Sequence, residues 1–308
     1  MSNLIVKDNV LINASYSLSL VEQRLLFLAI VEVRKGGLHA PIDHSQPIVV
    51  RAESYIKQFN VKRNAAYEAL QSACKHLFER KFSYQEYREN QVARITSRWV
   101  SQITYLDDTA TVELIFSPAI MPLITELEKR FTSYDVEQIA HLTSAYAVRL
   151  YELLICWRTV GKTPRIPLKE LRDRLGVLEN EYERMHHFKV RVLDLSIEQI
   201  NEHTDIKASY EQHKRGRSIT GFTFKFKNKS NKNKPVPQYE DDFNIDGLNE
   251  AQLNRIVKNT CFLDDYNHMV SATSVANKDV NSWAQEMIKR LKKTPEQFNK
   301  RPIRDYLK

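Results

Sequence analysis

The stretch from Ile166 to Lys229 passes from helical to strand periodicity in an order that restricts the fold more than any other feature of the sequence. Leu168-Lys-Glu-Leu-Arg-Asp-Arg-Leu-Gly-Val177 reads as a short amphipathic helix stopped by Gly176, the residue that best tolerates a left-handed turn between two helices. A longer helix is expected from about Tyr182 to Glu202, burying Met185, Phe188, Val192, Leu193, Leu195, Ile197 and Ile200 on one broad face. Arg184, His187 and Arg191 project from the opposite side, and farther along it the charge turns negative at Asp194, Glu198 and Glu202. An anionic ligand would therefore meet the start of this helix. Beyond it the period becomes two. Ile206, Ala208 and Tyr210 alternate with Lys207, Ser209 and Glu211, while Phe222, Phe224 and Phe226 line one face of a returning strand. Between the strands the tip reads His213-Lys-Arg-Gly-Arg217, so two helices are followed by a basic wing, the order of a winged helix.

The same order occurs once before. A first helix is expected from Leu18 to about Lys35, then a loop with Gly36, Gly37 and Pro41, a strand at Ile48–Arg51, a short helix at Glu53–Phe59 and a longer one at Lys62–Arg80. Ile95, Trp99, Ile103 and Tyr105 then alternate with polar residues, a turn falls at Asp107-Asp108, and Thr111–Phe116 returns. Tyr55, Phe59 and Val61 are spaced like Leu171, Leu175 and Val177, and Ser144–Val160 supplies the helix that opens the second set. Leu4, Leu11, Leu18 and Leu25 fall seven apart, but Asn13-Ala-Ser-Tyr16 interrupts any zipper. The expected class is α+β: a winged helix over residues 1–134 and a second over 135–229, joined through a helical piece at Pro118–Arg130. A polar, proline-punctuated linker at 230–248 and a helical tail at 249–308 follow. In the tail, Trp283, Met287, Ile288 and Leu291 form an apolar stripe that suits a small appendage packing on the body, or else a partner-docking helix.

Charge decides which part faces a polyanion. The net charge is +8, and residues 205–234 alone carry nine Lys and Arg against two Asp and Glu. Such a surface suits double-stranded DNA, whose phosphates supply sequence-independent affinity. The most apolar run, Leu25–Val31, is too short to span a bilayer, and Cys74, Cys156 and Cys261 read as reduced thiols of a cytoplasmic protein. No cofactor, metal or catalytic residue is expected. His186-His187 diverge by about 100° on a helix, which is poor for joint metal ligation. Gly161-Lys162-Thr163 follows a helix rather than a strand, so Gly161 reads as a helix terminator and not a phosphate loop. Glu22, Glu32 and Glu152 fall on helices without a visible partner.

Several separated blocks also match a known family. Leu4-Ile-Val-Lys-Asp-Asn-Val-Leu-Ile-Asn-Ala14 with Leu20-Val-Glu-Gln-Arg-Leu25, Ser144-Ala-Tyr-Ala-Val-Arg-Leu-Tyr-Glu-Leu-Leu154, and Phe188-Lys-Val-Arg-Val192 with Ile200-Asn-Glu-His-Thr204 resemble the iteron-binding plasmid replication initiators of the RepA/RepB/RepE type. The resemblance covers about Met1 to Lys229 and implies theta-type initiation. Monomers would bind direct repeats at an origin, open adjacent AT-rich DNA and recruit the host initiator and replicative helicase. Dimers, formed through the first domain, would repress the protein's own promoter. It also implies that the helix with Arg184, His187, Lys189 and Arg191 is the main base reader, with Lys207, Lys214, Arg215 and Arg217 on the wing. Lys62, Arg63, Asn64 and Tyr67 would be the first domain's auxiliary contacts. By side-chain chemistry Arg184 and Arg191 suit bidentate contact with guanine, and Lys189, nearer the apolar side, suits a phosphate. A winged-helix transcriptional repressor without initiator role is the alternative. A nicking enzyme is disfavoured because the sequence has no His-x-His.

Overall fold

The computed structural model describes residues 3–34, 46–88, 91–125, 131–229, 250–257, 259–266, 269 and 280–307. The expected loop around Gly36, Gly37 and Pro41 and the linker at 230–248 lie outside them. The chain is α+β and forms two compact units, residues 1–230 and 231–308. Unit one holds two winged helices, and unit two is a further helical region.

The first winged helix begins with β1 (Leu4–Asp8), α1 (Asn9–Asn13) and α2 (Leu20–Val33). Ser19 and Glu22 close a reciprocal capping box that fixes where α2 starts. Then come β2 (Ile48–Arg51), α3 (Ala52–Phe59), α4 (Arg63–Leu77), a hairpin of β3 (Lys81–Arg88) and β4 (Gln91–Arg98), and the wing strands β5 (Val100–Leu106) and β6 (Thr111–Phe116). Through α5 (Met121–Thr125), β7 (Phe131–Asp135) and α6 (Glu137–Ala140) the chain reaches the second set. That set is α7 (Ala145–Ile155), β8 (Ile166–Pro167), α8 (Leu168–Leu175), α9 (Met185–Phe188), α10 (Leu195–His203), and a wing of β9 (Ile206–Arg215) and β10 (Ser218–Asn228). A six-residue π turn, Lys189–Asp194, joins α9 to α10.

The two sets share a topology. In each, the short strand before the helix pair bonds to the returning wing strand, giving sheet orders β2-β6-β5 and β8-β10-β9. Their helix-to-helix turns correspond as well: Asn60 and Gly176 both take left-handed backbone, with φ of 48° and 77°. Asn is the side-chain-bearing residue that best accepts that region. The chief difference is the β3–β4 hairpin, which the second set lacks. Sequence reading missed β3 because Phe82 and Tyr84 supply only a short alternation, of which Phe82 alone is fully buried. The spaced leucines fall in β1, α1, the loop before α2, and α2, so no zipper exists.

Three further expectations are corrected. The long helix begins at Met185 rather than Tyr182, because Tyr182 has φ of 47° and belongs to the preceding turn. Leu195 is 38% exposed and Ser196 takes the buried place, since the π turn inserts residues and rotates everything after it about the helix axis. α7 ends at Ile155, and Gly161, with φ of 71°, closes the later turns instead.

Glu22 and Glu152 are buried and partnered, contrary to their expected isolation. Glu22 caps α2 and bonds Arg80 at 2.9 Å. Glu152 on α7 receives Lys7 of β1 at 2.7 Å, Tyr134 of β7 at 2.6 Å and Arg149 at 2.9 Å. Arg149 also donates to the carbonyls of Ile12, Ala14 and Arg174 and lies 3.9 Å over the Tyr16 ring. This buried network fastens the N-terminal strand and α1 to α7 and α8, so it sets how the two winged helices face. Burial alone would raise the Glu152 carboxyl; Lys7 and Arg149 outweigh it and hold the group below the usual carboxylate range.

The second unit contains α11 (Glu250–Val257), α12 (Thr260–Tyr266) and α13 (Val280–Lys293). The expected stripe of Trp283, Met287, Ile288 and Leu291 is buried in this unit's own core with Leu253, Ile256, Phe262, Tyr266 and Phe298. Phe262 alone contacts four other rings, which is why so small a unit carries a core.

Candidate nucleic-acid interface

The long helix of the second winged helix, Met185–His203, is held on its inner side by Phe188, Val192, Leu193, Ser196 and Ile200. Its outer side carries His186, His187, Val190, Arg191, Asp194 and Leu195, all exposed. Arg184, expected within the helix, is its N-cap residue, exposed and with extended backbone. Lys189 is half-buried, as its place nearer the apolar side suggested.

The turn before this helix is tied down by a residue sequence reading passed over. Arg172 of α8 donates to the carbonyls of Leu178, Glu181 and Tyr182 at 3.2, 2.5 and 3.2 Å and stacks 5.1 Å over the Phe188 ring. Glu181 in turn accepts from the Leu178 amide and the Tyr146 hydroxyl. The first turn of the Met185–His203 helix is therefore presented by a rigid support.

Two contacts fix the wing to the same helix. The Tyr210 hydroxyl of β9 donates to Asp194 at 2.5 Å, and the Asn201 side chain bonds both the N–H and the carbonyl of Ala208. Burial and the Asp194 carboxylate raise the Tyr210 hydroxyl above its usual pKa, so it stays a donor. The wing reverses through Gly216 and Arg217, with Gly216 at φ of 61°. His213, expected at the tip, lies within β9 with its ring nitrogen 2.8 Å from the Thr223 hydroxyl. Lys207, Lys214, Arg215 and Arg217 are exposed, and Lys207 sits opposite Lys227 across the strands. Glu211, the acidic side chain of the wing, is taken up by Lys225.

None of Arg184, Lys189, Arg191, Lys207, Lys214, Arg215 and Arg217 has a hydrogen bond or ion pair from its side chain to a described residue. Seven cations on one helix and its wing thus keep their charge available to a polyanion.

The first winged helix presents a smaller counterpart. Lys62 is the N-cap of α4, exposed and without a side-chain capping bond, as Arg184 is for α9. Asn64 is exposed beside it. Arg63 is already engaged, donating to the Tyr67 hydroxyl at 2.7 Å, and Tyr67 is half-buried.

The family pattern described as "Initiator Replication protein, WH1" matches residues 4–155, and that described as "Initiator Rep protein, WH2" matches residues 167–226. The chain belongs to the initiator replication protein family. Within that family, a replication initiation protein of Escherichia coli is 27% identical over 265 residues, which is 84% of this chain and 77% of the relative. The crystal structure of Pi initiator protein in complex with iteron DNA superposes with a TM-score of 0.61 at 21% identity, covering 75% of this chain and 99% of that one. The WH1 domain of a replication protein isolated from a multiple sclerosis patient is 61% identical over 36% of this chain and 81% of that one, with a TM-score of 0.31. The fold of this initiator-family chain is accordingly a WH1 followed by a WH2, with the helical unit beyond. Among the described residues no helix is long and apolar enough to cross a membrane, and no group of three or more His, Cys, Asp or Glu is placed to hold a metal ion.

Proposed function

We propose that this chain is a plasmid replication initiator that binds direct repeats at its origin through both winged helices, the second being the main reader. The observation that carries the proposal is the set of seven unpaired cations on the second reading helix and wing, in a chain of the initiator replication family. Arg184 and Arg191 take guanine edges in the major groove. Lys189, Lys207, Lys214, Arg215 and Arg217 take phosphates, and His187, exposed in the first turn of the helix, adds a further contact. Lys62, Arg63, Asn64 and Tyr67 give an auxiliary contact, with Arg63 released from Tyr67 or holding it in place. Residues 1–134 would serve dimerisation as well as this contact, and residues 135–229 base reading. Opening of adjacent DNA, recruitment of the host initiator and helicase, and repression of its own promoter by the dimer complete the proposal. The protein acts in the cytoplasm by binding, with no cofactor.

Footprinting on the DNA flanking its own gene tests the proposal. Several evenly phased direct repeats should be protected. A single inverted repeat over the promoter, with no repeat array nearby, would favour the repressor instead.

A further inference from the structure

The outer face of the reading helix contains one side chain that its chemistry does not lead one to expect. Val190 is 47% exposed, on a helix whose other aliphatic residues before Asp194, Val192 and Leu193, are buried. Residues four apart share a ridge on a helix, so Val190 follows His186 and precedes Asp194, while the neighbouring ridge runs through His187, Arg191 and Leu195. Val190 directly precedes Arg191 in the chain, and both side chains are exposed, on neighbouring ridges of the helix. Leu178, also exposed, belongs to the preceding turn, and Leu195 lies farther along the helix next to acidic residues. Met185 is half-buried and Phe188 is buried. Among the described residues Val190 is thus the exposed aliphatic side chain within the first two turns, the part that enters a major groove.

We infer that Val190 reads the 5-methyl group of a thymine lying within a base step or two of the pair that Arg191 contacts. The inference rests on the proposed reading of this helix as the DNA reader. In the major groove, thymine is distinguished by a methyl group that hydrogen-bonding side chains cannot recognise, and an aliphatic contact is the chemistry that does. An exposed valine gains by burying that methyl and has no polar group to leave unsatisfied. The π turn contributes directly. It begins at Lys189 and widens the helix at this point, so Val190 and Arg191 both stay outward while Val192 and Leu193 turn inward together. The pairing of a guanine-reading arginine with a thymine-reading valine on adjacent positions would give a specificity that neither phosphate contacts nor Arg191 alone supplies.

The test uses the full chain and the duplex protected in the footprint, with each thymine replaced in turn by deoxyuridine, which removes only the methyl. At one thymine position, uracil should weaken wild-type binding about fourfold, the worth of one buried methyl. Val190→Ala should bind the thymine duplex more weakly by a similar factor and should be indifferent to uracil at that position. Its thermal unfolding should match wild type, because the site is exposed and alanine favours helix. Uracil substitutions that affect wild type and Val190→Ala equally at every position would overturn the inference and leave the proposed function standing. A wild-type protein that forms no sequence-specific complex with this DNA would overturn the proposed function, and the inference with it.

Discussion

The first and second winged helices have the same sheet order and the same left-handed turn, yet they differ in what they leave free for a ligand. On α4, Arg63 is bonded to Tyr67, leaving Lys62 and Asn64 at the helix start. On and beside the long helix of the second winged helix and on its wing, seven cations have no partner among the described residues, while the nearby acids Asp194 and Glu211 are occupied by Tyr210 and Lys225. The first set spends sequence elsewhere, on the β3–β4 hairpin and on the strand and helix that enter the buried Glu152 network. One sheet order thus carries two different surfaces, and the sets differ in backbone as well, through the β3–β4 hairpin of the first and the π turn of the second.

The largest expected effect comes from uncoupling the two. Glu152→Gln leaves Lys7 and Arg149 buried without their shared carboxylate and should cost about 3–5 kcal/mol of stability, read by denaturant unfolding. The wild-type contribution has a definite pH dependence. Because the folded state holds the Glu152 carboxyl below its ordinary value of 4.5, its contribution is complete above that pH and is lost as pH falls through the lowered value. Glu152→Gln should therefore flatten the acid limb of the stability profile, and an unchanged limb would show that other carboxylates carry it.

Smaller effects distinguish the two turns. Gly176 has φ of 77°, and a Cβ there would come 2.3 Å from the Tyr16 carbonyl, so Gly176→Ala should destabilise by about 1–3 kcal/mol. Asn60→Gly, at the matching position, should change stability by less than about 1 kcal/mol in the favourable direction. A clear loss of stability in Asn60→Gly would mean that the turns are not equivalent. On DNA, Arg191→Ala should weaken specific binding by about 1–3 kcal/mol. Replacing Lys214, Arg215 and Arg217 together should reduce the salt dependence of binding, and a slope equal to wild type would place the wing away from DNA.

The wing and the turn before the long helix were legible because their signals are local and clean: Phe222, Phe224 and Phe226 are buried as the alternation required, and Gly176 ends α8 in the expected conformation. The repeat of element order was legible for the same reason. Three things were not. Lys7 and Glu152 are 145 residues apart, so nothing local announces their pairing. The π turn changes register without changing composition, which misplaced Leu195. Arg172 looks like any surface cation of an amphipathic helix until the three carbonyls of the following turn are seen around it. The cationic residues proposed for the interface can be named from the sequence by type and position, but their freedom from partners is visible only in the fold.

The most direct measurement compares Arg191→Ala with the double substitution Lys62→Ala and Arg63→Ala on the same flanking DNA and on a scrambled duplex, at matched salt. If the second winged helix is the base reader, Arg191→Ala removes much of the preference for the specific duplex, while the double substitution weakens binding to both duplexes alike. A double substitution that erases the preference while Arg191→Ala leaves it intact would contradict that assignment and move base reading to the first winged helix.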